Sequence, residues 1–281
     1  MLNIPNDLIK KYNITGPYYT SYPTLSQWSE NFSSNDYKNA LKEFFFRKNN
    51  TPLSFYIHFP FCHKLCYYCF CNTKITKDRE QIKQFLSFLL KEIDLFADFF
   101  NKNSITPNIK EIHFGGGSPS WMTKEEIDQL ITRLQSLVNI KNLSEFIIEI
   151  DIRTVDQEKL HYYHERGINR ISIGIQDFDP AVQKAVNREQ PLEIVEELLS
   201  PDIRKCFKSI NFDLIYGLPL QTVESFNSTI NTVTRLSPDR ICLYNYGHRP
   251  DSYKHQKLIK ASELPDSYEK TRINLEAIQK L

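Results

Sequence analysis

The spacing of apolar residues switches between two periods along this chain. Short runs rich in Ile, Phe and Tyr, bounded by Gly, Pro or Asp, predict strands at 53–59, 111–114, 145–151, 168–176, 209–217 and 240–245. Between them the period lengthens to that of a helix. Ile82, Phe85, Leu89, Ile93, Phe96 and Phe100 recur at three- and four-residue steps, so a helix over 78–101 lays one face on a sheet. Thr123 and Glu126 form a capping-box signature ahead of Ile127, Leu130 and Leu134. Shorter patterns predict helices over 156–166, just before Gly167, and over 192–199, 222–236 and 267–281. The FFFRK run at 44–48 predicts the core-facing end of one more. No self-similar repeat or low-complexity tract interrupts the alternation.

Strand-helix alternation with near-continuous apolar strands places the chain in the α/β class, with a parallel sheet covered by helices. An open doubly wound sheet and an incomplete barrel both fit, whereas six units are too few for a closed eightfold barrel. In either architecture reactive groups belong on loops leaving the carboxyl ends of the strands. Those loops carry a cysteine-rich stretch, GGGSP at 115–119, Glu149 with Asp151, Gln176, Asp213 with YGLP, and Gly247. His58 and His113 alternate along strands and read as packed histidines.

Composition narrows the partners. The chain has 281 residues, 41% of them hydrophobic, enough for one sizeable core. Lys plus Arg total 35 against 34 for Asp plus Glu, so no global field favours nucleic acid or an anionic membrane surface. A small molecule or a protein is the expected partner. No apolar run approaches the length of a bilayer span, and a cytoplasmic protein is expected.

Four of the six cysteines fall in YIHFPFCHKLCYYCFCN, at positions 62, 66, 69 and 71. In a reducing compartment such clustering suits metal ligation or redox chemistry better than structural disulfides. Structural zinc usually takes two knuckles separated by a longer loop, and here there is one short loop. Cys62, Cys66 and Cys69 can turn inward round a compact centre, while Cys71 has little backbone slack to join them. Three thiolates and an open position suit an iron-sulfur cluster that binds something at its fourth iron. A zinc site or a Cys66–Cys69 redox pair would use the same thiols but leave the downstream motifs unexplained. Cys206 and Cys242 read as buried small hydrophobes.

C-x-x-x-C-x-x-C directly after a first strand resembles the signature of radical S-adenosylmethionine enzymes. With GPYYTSYPT, GGGSPS, IEID, IGIQDFD, VNREQ, FDLIYGLPLQT and YNYGHRP in order, the chain resembles the oxygen-independent coproporphyrinogen III oxidases from about residue 13 to residue 281. The resemblance implies an incomplete (β/α)6 radical-SAM barrel with parallel strands and outer helices. Residues 1–50 would be an N-terminal extension with a helix and 51–281 the partial barrel, with the family's C-terminal helical domain absent.

It further implies that Cys62, Cys66 and Cys69 hold a 4Fe-4S cluster whose remaining iron chelates S-adenosyl-L-methionine. Tyr56, Gly116 and Glu149 match residues that bind this molecule. Tyr68, Gly117, Ser118, Gln176, Arg188, Asp213 and Gly247 match contacts to a second one. The implied chemistry is oxidative decarboxylation in haem biosynthesis. A deoxyadenosyl radical takes hydrogen from a propionate of coproporphyrinogen III, and loss of carbon dioxide and an electron leaves a vinyl group of protoporphyrinogen IX. The implied partners are the porphyrinogen, an electron-donor protein and a chain supplying the missing C-terminal cover. Tyr18 stands for a usual Arg, Phe70 for a usual Gly and Ile152 for a usual Pro. A haem-binding or haem-delivery relative, or an inactive shortened paralogue, is the alternative; Cys71 and GPYYTSYPT favour the oxidase.

Overall fold

The computed structural model describes residues 4–14, 22–48 and 50–281, and Tyr18 with most of the GPYYTSYPT segment lies outside them. In chain order the strands are β1 (Leu53–Phe59), β2 (Phe61–Cys62), β3 (Lys74–Ile75), β4 (Ile109–Gly116), β5 (Glu145–Ile150), β6 (Arg170–Gln176), β7 (Ser209–Tyr216) and β8 (Arg240–Asn245). The α-helices are α1 (Asn6–Tyr12), α2 (Ser34–Arg47), α3 (Arg79–Lys102), α4 (Lys124–Leu134), α5 (Gln157–Glu165), α6 (Pro180–Ala185), α7 (Leu192–Leu198), α8 (Pro201–Cys206), α9 (Val223–Leu236) and α10 (Ser267–Lys280). β2 and β3 pair only with each other, and the other six strands form one parallel sheet in the order β1-β4-β5-β6-β7-β8.

Every neighbour in this sheet is also the next sheet strand in sequence. A doubly wound sheet needs a reversal of strand order, and there is none. Crossovers of one hand repeated in one direction put the helices on a single face and curl the sheet away from them. Of the two architectures open to the sequence, the incomplete six-unit barrel is the one that forms.

The two faces of the sheet differ, which corrects the expectation of near-continuous apolar strands. Ile57 and Phe59, Ile112 and Phe114, Phe146, Ile148 and Ile150, Ile171, Ile173 and Ile175, and Ile210, Phe212 and Leu214 all belong to the core beneath the helices. The alternate positions, among them His58, His113, Glu149, Ser172, Asn211, Asp213 and Cys242, face the barrel interior. An interior lined by polar groups cannot be filled like a core, so it stays available to ligands. At its amino end it is closed by charge: Arg170 pairs with Glu145 and donates to Ser209 Oγ at 3.3 Å, and Arg240 lies 4.0 Å from Glu145.

Caps fix where the helices begin. Asp78 accepts from the Glu80 amide at the start of α3, Thr123 and Glu126 close both bonds of a capping box on α4, and Thr222 with Ser225 does the same on α9. The sequence pattern misses α6 and α8. Each has six residues, too few to show a period, and each begins with a proline. In α2, Phe45 packs on the core and meets Phe100 edge-on at 5.4 Å, whereas Phe46 is exposed. Only part of the FFFRK run therefore faces inward. No helix among the described residues is long and apolar enough to cross a membrane.

Candidate active site

The cysteine loop is tied at both ends by strand pairing. Cys62 of β2 faces Ile75 of β3, and the Thr76 amide donates to the Cys62 carbonyl at 3.0 Å. Between these points the loop's own backbone groups are met from elsewhere. Asn187 Nδ2 donates to the Leu65 carbonyl at 2.7 Å, the Tyr67 amide donates to the Val186 carbonyl at 3.0 Å, and His255 Nε2 lies 2.8 Å from the Cys69 carbonyl oxygen. Phe70 meets Tyr253 edge-on at 4.7 Å and packs on a small cluster of Val182, Val186, Leu218, Tyr246 and Ile259. Phe70 is not among the non-glycine residues with positive φ, so a side chain here costs no backbone strain. The Phe70 departure is absorbed by packing.

Each of the three thiols predicted as ligands meets a donor. Ser118 Oγ donates to Cys62 Sγ at 3.5 Å, the Cys71 amide to Cys69 Sγ at 3.4 Å, and Arg188 Nη1 and Arg153 Nη2 to Cys66 Sγ at 3.5 and 3.7 Å. Hydrogen bonds to sulfur of this kind are what a thiolate ligand needs once it leaves water. Among the described residues no three Cys, His, Asp or Glu groups gather round a single ion. A cube-shaped cluster does not ask for that, because each thiolate takes a different iron. The donor set fits a cluster. Cys69 is brought down to about 6 by its bond from Cys71, which itself is driven far up, and burial pushes Cys62 up to about 11.

Above the thiols stand the strand ends. Gly116 ends β4 at φ +113, and a Cβ there would sit 2.6 Å from His58 Nδ1, so only glycine fits. Its amide donates to Glu149 Oε2 at 3.1 Å, while Glu149 Oε1 lies 3.0 Å from His113 Nε2. His113 is thus a carboxylate partner and not merely a packed ring. Asp213 accepts from Ser172 Oγ at 2.9 Å and Asn211 Nδ2 at 2.8 Å, and burial raises its carboxyl. Gln176 adopts φ +67 after a break in the β6–β7 register, and its Oε1 is buried with no partner among the described residues. A buried amide oxygen in that state points to a ligand donor.

The ion pairing at the next loop was only half legible. Asp151 is 5% exposed and accepts from Arg153 Nη2 at 2.7 Å, with Arg188 Nη1 at 3.6 Å. Burial alone would raise its carboxyl, but Arg188 and Arg153 outweigh it and hold the group well below the usual range. Arg188 also donates to the Gly174 carbonyl through Nε at 3.2 Å and Nη2 at 2.7 Å. Arg153 was not singled out from sequence. The available signal was its place two residues after Asp151, whose Oδ1 caps its amide at 3.1 Å. Ile152 between them is buried, filling the position of the usual proline with apolar volume.

These groups line one cavity of about 1370 Å³. Cys62, Cys66, Cys69, Tyr68, Gly116, Gly117, Ser118, Glu149, Gln176, Arg188, Asp213 and Gly247 all reach it, as does Cys71. Tyr56 does not. Its hydroxyl is 3.2 Å from His58 Nδ1, and its ring stands edge-on to His113 at 5.5 Å. Cys242, read from sequence as a buried hydrophobe, is half-buried on the inner face and donates to Asn211 Oδ1 at 3.5 Å. The sequence also gave no sign that residues of α1 and α10 complete the walls.

Comparison with known proteins agrees with this geometry. Residues 56–233 match the family described as the Radical SAM superfamily. The oxygen-independent coproporphyrinogen III oxidase of Salmonella typhimurium is 41% identical over 274 residues, covering 98% of this chain and 58% of that protein. The corresponding protein of Pseudomonas aeruginosa is 40% identical over 266 residues, covering 94% of this chain and 57% of its own length. Among solved structures, coproporphyrinogen III oxidase HemN from Escherichia coli superposes with a TM-score of 0.87 at 38% identity, over 99% of this chain and 60% of that one. The chain thus spans about three-fifths of the length of these relatives.

Proposed function

The chain belongs to the radical SAM superfamily, and within it we propose that it serves the oxygen-independent conversion of coproporphyrinogen III to protoporphyrinogen IX. Membership implies a 4Fe-4S cluster and S-adenosylmethionine. The observation that carries the proposal is the single cavity that gathers three donor-supported thiols with groups from the ends of successive strands. At about 1370 Å³ it is larger than the usual pocket for one small ligand, as a cofactor and a macrocycle side by side require.

Cys62, Cys66 and Cys69 hold the cluster in this reading, and Ser118, Arg153 and Arg188 direct N–H and O–H groups at their sulfurs. When bound, the cluster and S-adenosylmethionine supply reductive cleavage of a sulfonium and the hydrogen abstraction that follows from it. Glu149, held from one side by His113 and the Gly116 amide, keeps lone pairs for the ammonium or ribose hydroxyls of that molecule. Tyr56 acts through His113, whose ring it meets edge-on and which holds Glu149. A second S-adenosylmethionine is assigned to Tyr68, Gly117, Ser118, Gln176, Arg188, Asp213 and Gly247. Of these, Gln176 brings the unpartnered amide oxygen and Asp213 a buried carboxyl. Each substrate propionate loses one hydrogen, one electron and carbon dioxide to become a vinyl group. The electrons enter from a donor protein and leave to an acceptor.

The test is an anaerobic assay of the reconstituted protein with reductant, S-adenosylmethionine and coproporphyrinogen III, scoring deoxyadenosine and vinyl product separately. Both products are expected. Deoxyadenosine without vinyl groups would reject the substrate, and absence of both would reject the chemistry.

A further inference from the structure

We infer that the polar face of α10 is a carboxylate-binding wall of the cavity, with Lys270 as its cation, and that it takes a carboxylate arm of the tetrapyrrole. This rests on the proposed function and names a substrate contact for it. Ser267, Lys270, Thr271 and Asn274 all line the cavity, at the three- and four-residue steps of one helical face. On another face of the same helix, Ile273 and Ala277 are 1% and 0% exposed and sit in the core. The helix is therefore fixed by its apolar side and offers only polar groups to the ligand space.

Lys270 reaches that space by a prepared route. Its stem passes over Gly217, at φ +84, where a Cβ would collide with Lys270 Cε. Nζ donates to the Tyr246 carbonyl. An ammonium has three donors, and Lys270 forms no ion pair with a carboxylate among the described residues. Burial lowers its pKa, a cost that an anionic ligand would offset. Of the other cations lining the cavity, Arg153 and Arg188 are committed to Asp151, and Lys64 and Arg249 belong to the cysteine loop and the segment after β8.

The choice of ligand follows from where charge lies. With Asp151 paired to Arg153 and Arg188, Glu149 and Asp213 are the strand-end carboxylates with no Arg or Lys ion pair among the described residues, and they suit a ligand with several carboxylates poorly. α10 follows β8, at the opposite edge of the open sheet from β1, and the cysteine loop reaches across the cavity mouth to Tyr246 and Tyr253 beside it. A cation there can hold one arm of a wide macrocycle while another arm lies over the thiols. The methionyl carboxylate of S-adenosylmethionine is the other source of the same chemistry.

The experiment uses the anaerobically reconstituted full chain and three probes: coproporphyrin III, its tetramethyl ester and S-adenosylmethionine. Lys270→Met should weaken coproporphyrin III by about tenfold or more, the range of a charge-assisted contact, and leave the ester and S-adenosylmethionine unchanged. Lys270→Arg should restore most of the loss. Asn274→Asp, which adds a negative charge to the same face, should also lower acid binding relative to ester. Parallel loss for acid and ester, or no loss, would overturn the assignment, because damage to packing cannot distinguish a carboxylate from its ester. Loss confined to S-adenosylmethionine would overturn it in favour of that ligand. If the unaltered protein binds no coproporphyrin III, the proposed substrate fails, and this contact with it.

Discussion

The guanidinium of Arg188 stands 3.5 Å from the sulfur of Cys66, a residue 122 positions earlier in the chain. The contact joins the loop after β1 to the segment after α6, and it is neutralised from behind by Asp151. A buried cation at a sulfur ligand withdraws charge from whatever that sulfur holds, so the pair couples the fold to the electronics of the site. Both partners came from motifs separated by more than a third of the chain.

Removing the thiols one at a time tests which of them hold iron. Anaerobic reconstitution with iron and sulfide should load about four irons per chain. Cys62→Ala, Cys66→Ala and Cys69→Ala should each lose the cluster absorption and most of the iron. Cys71→Ala should retain it, because alanine removes the Cys71 thiol at Cys69 but keeps the amide that donates to Cys69 Sγ at 3.4 Å. Equal loss at Cys71, or retention at any of the other three, would contradict the assignment.

Asp151→Ala leaves two buried guanidinium groups without their carboxylate. Breaking a buried pair from one side typically costs about 3–5 kcal/mol, and urea unfolding should show a loss in that range. Iron retention after reconstitution should fall as well, since Arg153 and Arg188 would no longer be held against Cys66. Asp151→Asn should cost less, because an amide oxygen still accepts from Arg153. Equal stability of Asp151→Ala and the unaltered chain would show the pair to be solvated.

What could be read in advance follows the period of the signal. The six sheet strands and the long α3, α4 and α9 were legible because their apolar spacing is sustained and their caps are local in sequence. α1, α6 and α8 were not, the last two having six residues each, too few to show a period. The cysteine loop and the glycine run were visible as motifs. Arg153 at Cys66, His113 at Glu149 and the α10 wall were not, because each depends on strand register or on a helix returning over the barrel. Residue type alone did not distinguish His113 from a packed histidine, or Cys242 from a core thiol.

Gly217→Ala probes the turn after β7. A left-handed backbone costs a non-glycine residue about 1–2 kcal/mol, and here the added methyl also meets the Lys270 stem. Thermal unfolding should register at least that loss. The displaced lysine should bring a second effect: coproporphyrin III binding should weaken in parallel with Lys270→Met. A Gly217→Ala protein with unaltered stability and binding would show that the turn relaxes at no cost.

Lys159 gives the clearest dependence on pH outside the cavity. Its Nζ donates to the Ser120 carbonyl at 2.7 Å and the Thr154 carbonyl at 3.4 Å, and burial brings its pKa down to about 8. In the unfolded chain a lysine holds its proton to about pH 10.4. Between those two values the unfolded state binds more protons than the folded state, so this group's contribution to stability rises with pH. Below about pH 8 both states are protonated and the cost of the buried charge is fully present. The advantage of the unaltered chain over Lys159→Met should therefore grow from pH 7.5 to pH 10 in matched urea titrations, whatever constant offset the lost hydrogen bonds add. Parallel curves across that window would mean that the amine stays hydrated in the folded protein.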